Sequence, residues 1–226
     1  DSVKWYRFAA EQGDALAQSK LGWMYAKGQG VPQDYKEALK WFRLAAEQGD
    51  TSAQYNLGWM YEKGKGVPQD YKEAVRLYRL SAEQGVAYAQ VNLGLMYALG
   101  RGVPQDYKEA INWYRLSAEQ GNAKAQYNLG WMYDRGVVPQ DYKEAVKWYR
   151  LSAEQGNGKS QEELGWKYYY GLDVPKDYVL AHMWVNLAAS SGEKNAARKR
   201  QTVEMKMTKQ QIEKAQRLAR NWKPKK

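Results

Sequence analysis

Residues 49–85 read GDTSAQYNLGWMYEKGKGVPQDYKEAVRLYRLSAEQG, and nearly the same words come before and after them. The Leu-Gly pair fixes the period: Leu21-Gly22, Leu57-Gly58, Leu93-Gly94, Leu129-Gly130 and Leu164-Gly165 are spaced by 36, 36, 36 and then 35 residues. Such periods mean stacked supersecondary units, each too small to bury its own apolar face and stable only against its neighbours. The repeats divide as 14–49, 50–85, 86–121, 122–156 and 157–192. Residues 1–13 match the second half of a repeat, and 193–226 follow as a different, basic segment. The chain starts without the charged-then-apolar pattern of a signal peptide. Its start reads as a processed or engineered end, from which a signal peptide or earlier repeats were lost.

Each repeat predicts two helices. In the first, Asp14 stands before a segment that ends at Gly28, and Asp34 stands before another that ends at Gly49. Asp or Asn suits a helix N-cap, and Gly just past the end takes positive φ without a Cβ clash. Asp34/Glu37, Asp70/Glu73, Asp106/Glu109 and Asp141/Glu144 have capping-box spacing. The Gly-x-Gly-Val-Pro loop between the helices, as in Gly28 to Pro32, breaks the first and sets the turn.

On a helical wheel, positions 17, 18, 21, 22, 24 and 25 of the first helix share one arc that barely changes between repeats, which marks it as the packing face. Its mid-helix Gly costs about 1 kcal/mol relative to Ala, so the helices must cross closely there. The recurring Gln18, Gln54, Gln90, Gln126 and Gln161 are placed to bond a neighbouring backbone. The opposite arc varies: Leu16, Ser52, Tyr88, Lys124 and Lys159 in one row, Ser19, Tyr55, Val91, Tyr127 and Glu162 in another. At its centre lie Trp23, Trp59, Leu95, Trp131 and Trp166. Variation confined to one face is what a ligand-reading surface looks like. Large aromatics suit both cores and interface hot spots, so this row either packs on itself or meets a partner. The second helix has Tyr35, Ala38, Leu39, Phe42, Ala45 and Ala46 on one face and Lys36, Lys40, Arg43 and Glu47 opposite, as expected of an outer helix with a solvated side.

These residues resemble Sel1-like repeats, a variant of the tetratricopeptide theme, through Ala53, Leu57, Gly58, Tyr61, Gly64, Gly66, Val67, Asp70, Ala74, Tyr78, Ala82, Gly85 and their counterparts over residues 1–192. The resemblance implies an all-α, right-handed α-solenoid of antiparallel helix pairs whose first helices line a concave groove. It also implies adaptor or scaffold roles, many of them in the bacterial envelope. A periplasmic or secreted location is favoured on that ground, with the cytoplasm open. Some similar proteins act as immunity proteins against secreted effectors, which supplies the alternative function.

Departures from the pattern are informative. Asp134 to Asp141 is one residue short. In the fifth repeat Lys167 replaces Met, Asp173 replaces Gly, and Val179 and Met183 make the outer face apolar, so something must cover it. Ala196, Ala197, Val203 and Met207 suggest one capping helix, and Thr208 with Gln211 caps another whose stripe is Ile212, Ala215, Leu218, Ala219 and Trp222. From Glu193 on there are twelve Lys/Arg against three Asp/Glu, a balance of +9 out of the chain's +10. The repeats are close to neutral, and the tail reads as a solvated cap, with phosphate or acidic-lipid contact as the alternative.

The inventory for chemistry is thin. No cysteine and one histidine, His182 in a row of Leu39, Val75, Ile111 and Val146, leave almost no material for nucleophilic triads, thiolate sites or His-rich metal sites. No catalytic residue, metal or cofactor is expected, nor a membrane span. The expected function is a non-enzymatic scaffold binding a peptide or protein segment along the first-helix groove. Trp23, Trp59, Leu95, Trp131 and Trp166 would anchor it, beside Asn56, Asn92 and Asn128, with Tyr55, Tyr88, Tyr127, Lys124 and Lys159 setting choice. Nucleic acid is not the expected ligand, and self-association could follow if Trp5 and Phe8 are uncovered.

Overall fold

The computed structural model describes residues 2–225; Asp1 and Lys226, the outer ends of the first and last predicted segments, lie outside. Among the described residues there are thirteen helices and no strand. They are α1 (Ser2–Glu11), α2 (Ala15–Lys27), α3 (Tyr35–Glu47), α4 (Thr51–Lys63), α5 (Tyr71–Glu83), α6 (Ala87–Leu99), α7 (Tyr107–Glu119), α8 (Ala123–Asp134), α9 (Tyr142–Glu154), α10 (Gly158–Tyr170), α11 (Tyr178–Ser190), α12 (Ala196–Glu204) and α13 (Lys209–Asn221). Successive helices pack on one another from α1 to α6 and from α8 to α12, the arrangement of an all-α solenoid of helix pairs. The chain forms two compact halves, Asp1–Trp113 and Tyr114–Lys226.

Asp14, Asp50, Asn122 and Asn157 accept from backbone N–H groups of the first helices, whereas Val86 opens α6 with no side-chain cap. In the second helices Asp34, Asp70, Asp106 and Asp141 accept from the backbone as predicted, but only this half of the capping box forms. The Asp N–H that Glu would satisfy donates instead to a tyrosine carbonyl of the preceding helix, Asp34 to Tyr25 at 3.0 Å and Asp70 to Tyr61 at 3.0 Å, tying each pair together across its loop. Released from capping, Glu73 pairs with Arg76 and Glu144 with Lys147. The full capping box forms at Thr208 and Gln211.

The invariant arc faces inward. A Cβ on Gly22 would lie 2.8 Å from the ring of Phe42, on Gly58 2.9 Å from Tyr78, and on Gly130 2.8 Å from Tyr149. Those rings are fully buried, so the small residue is what lets first and second helix approach. In the next layer Gln18, Gln90, Gln126 and Gln161 donate to the carbonyls of Ala10, Ala82, Ala118 and Ala153 at 3.1–3.2 Å. Gln48 and Gln84 then donate to the Gln18 and Gln54 oxygens at 2.8 and 3.0 Å. These bonds satisfy buried amides that would otherwise be costly, and they set the rotation of each first helix.

The charged side of the second helix is more than a solvated face. Arg7, Arg43, Arg115 and Arg150 each donate to a tyrosine hydroxyl eighteen residues on, Tyr25, Tyr61, Tyr133 and Tyr168, at 2.6–3.0 Å. Helices α12 and α13 both pack on α11, with Trp222 edge-on to Trp184 at 6.3 Å. Ala197 departs from its expected place on the apolar face and is exposed. Trp5 and Phe8 are exposed on α1, while Trp41, the counterpart of Trp5, is buried beside Ala10, Ala17 and Leu21.

Gly58→Ala tests the close approach. Helix propensity alone would favour Ala by about 1 kcal/mol, but overpacking against the held Tyr78 ring costs about 1–3 kcal/mol. Urea denaturation is expected to show a net loss of stability; a more stable variant would contradict the packing account.

Candidate functional site

With the invariant arc committed inward, the variable arc of each first helix is left facing out. Trp23 is 41% exposed and Trp131 39%, so neither is shut inside. Trp59, Leu95 and Trp166 are half-buried. Trp59 packs against the clusters of two successive repeats, around Phe42 and around Tyr78, and so combines packing with an open edge. Positions 19 and 91 of the variable arc, Ser19 and Val91, are buried and belong to the packing.

In the N-terminal half Tyr55 lies with its ring 5.9 Å from Tyr78 and 6.4 Å from the exposed Tyr88. Burial raises its hydroxyl above the ordinary tyrosine value, against a hydrogen bond from the Asn92 amide that pulls the other way. The Tyr78 hydroxyl, raised further by burial, donates to the buried Glu62 carboxylate at 2.6 Å and also meets Asn92. Asn92 is thus tied to two tyrosines, and Asn56 donates to the Ser52 carbonyl at 2.9 Å. Two recesses flank Trp23. One, of about 360 Å³, is lined by Trp23, Lys27, Tyr35, Phe42, Tyr55 and Trp59 among others; its neighbour, of about 430 Å³, by Tyr6, Leu16, Lys20, Trp23 and Met24 among others, and Asn56 reaches both.

In the C-terminal half the Tyr127 ring lies 6.0 Å from that of Tyr149, tilted by 40°, and carries the Lys159 ammonium 5.9 Å over its face. Burial raises its hydroxyl pKa as well. Asn128 bonds the Tyr114 hydroxyl, which burial raises too. Lys124 and Lys159 are exposed. His182 is fully buried with Nε2 2.8 Å from Glu204 Oε1. Among the described residues no group of three or more His, Cys, Asp and Glu could hold a metal ion, and no helix is long and apolar enough to cross a membrane.

The Sel1 repeat family model matches residues 2–14, 15–50, 51–86, 87–122, 123–157 and 158–193. The chain belongs to the Sel1 repeat family. Sel1 repeat proteins are protein-interaction scaffolds, typically without enzymatic activity. A Sel1 repeat protein from Oxalobacter formigenes is 35% identical and superposes with a TM-score of 0.81 over 95% of this chain and 87% of that one. A Sel1 repeat protein from Klebsiella pneumoniae (23% identity, TM-score 0.56, 89% and 99% covered) and the immunity protein Pa5087 from Pseudomonas aeruginosa (24%, 0.53, 83% and 72%) share the fold. None of the curated proteins matches.

The fifth Sel1 repeat departs most from the others, and two of its charged residues, Lys167 and Glu162, are each paired. Lys167, at a position held by Met in the other repeats, is buried and ion-paired with Asp134 of the fourth, with its ammonium 4.8 Å over the Tyr142 ring. Lys199 of α12 is ion-paired with Glu162 and sits 5.0 Å over Trp166, so the cap already covers one face of that expected anchor. Trp166 also packs on Tyr169 and Tyr170 at 5.0 and 5.5 Å. Sequence reading singled out Lys167 but missed its partner, because Asp134 lies in a row that varies between repeats as Ala26, Glu62, Ala98 and Tyr169 and so carries no signal by itself.

Asp134→Ala is expected to cost about 3–5 kcal/mol by leaving a buried ammonium unpaired. The double variant with Lys167→Met should return to within about 1.5 kcal/mol of the parent, since Met fits this position elsewhere in the chain. A urea double-mutant cycle with additive losses would contradict the pairing. Burial raises the Glu163 carboxyl above its ordinary value despite Lys199 and Arg135. The folded state therefore binds more protons, and stability falls as pH climbs from the unfolded carboxyl value through the folded one. Glu163→Gln should resist urea better than the parent at neutral pH and equally below the carboxylate range; a variant weaker at neutral pH would contradict this.

Proposed function

We propose that the outward face of the first helices receives a peptide or protein segment, with Trp23 and Trp131 as its main anchors. Tyr55, Tyr88, Tyr127, Lys124 and Lys159 around them would set the choice of partner. One observation carries the reading: near-identical inward arcs hold outward arcs that differ from repeat to repeat, and on two of these arcs a tryptophan, Trp23 or Trp131, stays about two-fifths open. A tryptophan kept that open offers a large apolar surface to a partner, and tryptophan is among the residue types most enriched at interface hot spots.

The asparagines take a narrower role than side chains free for a ligand. Asn92 and Asn128 hold buried tyrosine hydroxyls, and so support the face from beneath. Asn56, at the edge of both recesses beside Trp23, is the one placed to meet a segment lying there. The fold shared with an immunity protein speaks to fold alone at 24% identity, so the scaffold reading is preferred to the inhibitor one.

Trp23→Ala and Trp131→Ala, measured separately by calorimetry against the natural partner, should each weaken binding by at least about tenfold while the circular dichroism of the free protein is unchanged. Affinity equal to the parent in both variants would remove the first-helix face from the interface.

A further inference from the structure

The two recesses beside Trp23 differ in charge from two others, at Trp166 and between α3 and α5. Lys27 lines one and Lys20 the other, and among the described residues no Asp or Glu lines either. Both lysines are exposed, and among the described residues neither has an ion-pair partner. A third ammonium, that of Lys65, lies 5.5 Å over the ring of Tyr35, which lines the first recess. By contrast, the recess at Trp166 mixes Asp134 and Glu163 with Arg135 and Lys167, and the one between α3 and α5 mixes Arg43 and Arg76 with Glu47 and Glu73.

Lys27 has a structural reason to be where it is, because a cation in the last turn suits the helix C-terminus. Lys20 has none: it stands in mid-helix, in a row otherwise made of Asn56, Asn92, Asn128 and Glu163. The second recess is mainly apolar and the first mixes aromatic rings with polar groups, so each has apolar wall to offer. Trp23 is a wall of both, and Leu16, 63% exposed, stands at the second.

We propose that this end of the first-helix face takes an acidic segment carrying apolar side chains on either side of Trp23, with Lys20 and Lys27 meeting its carboxylates. The inference rests on the reading of that face as the partner surface and adds the partner's chemistry. Charges at the rim of an interface act mainly on encounter rate and on the choice of partner, and they are screened by salt. The lysines therefore select, and Trp23 with its neighbours holds.

The test pans a random dodecapeptide phage library against the full chain, against Trp23→Ala, and against the Lys20→Glu/Lys27→Glu double variant. Peptides from the parent pool should carry an excess of Asp and Glu beside two aromatic or aliphatic residues. Their affinity should fall about tenfold on the lysine variant or in high salt. A neutral or basic pool that is recovered from the parent and lost on Trp23→Ala would overturn the acidic preference and leave the face standing. Equal recovery on the parent and on Trp23→Ala would overturn the face itself, and the inference with it.

Discussion

A glycine pressed against a buried aromatic ring is the contact on which this solenoid depends. Where Gly22, Gly58 and Gly130 meet Phe42, Tyr78 and Tyr149, no Cβ fits without a clash, so the two helices of a pair are held as close as backbone and ring allow. Close approach commits one arc of the first helix to the interior. Most of the remaining arc then faces outward, with Ser19, Glu62 and Val91 drawn into the packing.

Approach alone would leave the helix free to roll, and buried amides remove that freedom. Each glutamine of the inward arc reaches the carbonyl of an alanine eight residues earlier, and the oxygens of Gln18, Gln54 and Gln126 take a bond from the glutamine that ends the next second helix. Arginine-to-tyrosine bonds do the same from the outer side, reaching from each second helix to the following first helix. Because a slip by one position would leave several buried polar groups unpaired, packing and hydrogen bonding fix the same rotation. Selection can then vary the outward residues without disturbing the fold, which is how Trp23, Leu95 and Trp131 come to occupy equivalent places.

The period, the glycines, the helix ends and the need for a cap could all be read from the amino acids, because each is a local rule repeated several times. What could not be read depends on distance across repeats. The Asp34 N–H looks like one half of a capping box until the loop brings it to the Tyr25 carbonyl. Arg43 looks like a solvated charge until Tyr61 is placed beside it. Lys167 looks like a stray base until Asp134 closes on it, and Trp166 looks as open as its counterparts until Lys199 arrives from the cap. The candidate anchors were therefore legible as a row, while their unequal exposure was decided by neighbours that differ from repeat to repeat.

Within each half, packing and hydrogen bonds hold the first-helix face in place, which favours binding by preorganisation. The chain's two kinds of exposed apolar side chain offer a matched comparison: Trp23 and Trp131 on first helices at 41% and 39%, Leu44, Leu80 and Leu151 on second helices at 39%, 37% and 40%. Hydroxyl-radical footprinting of the complex with the natural partner, read by mass spectrometry, tests the central claim most directly. The account predicts protection of the two tryptophans with the three leucines still oxidised; leucines protected and tryptophans still reactive would contradict it.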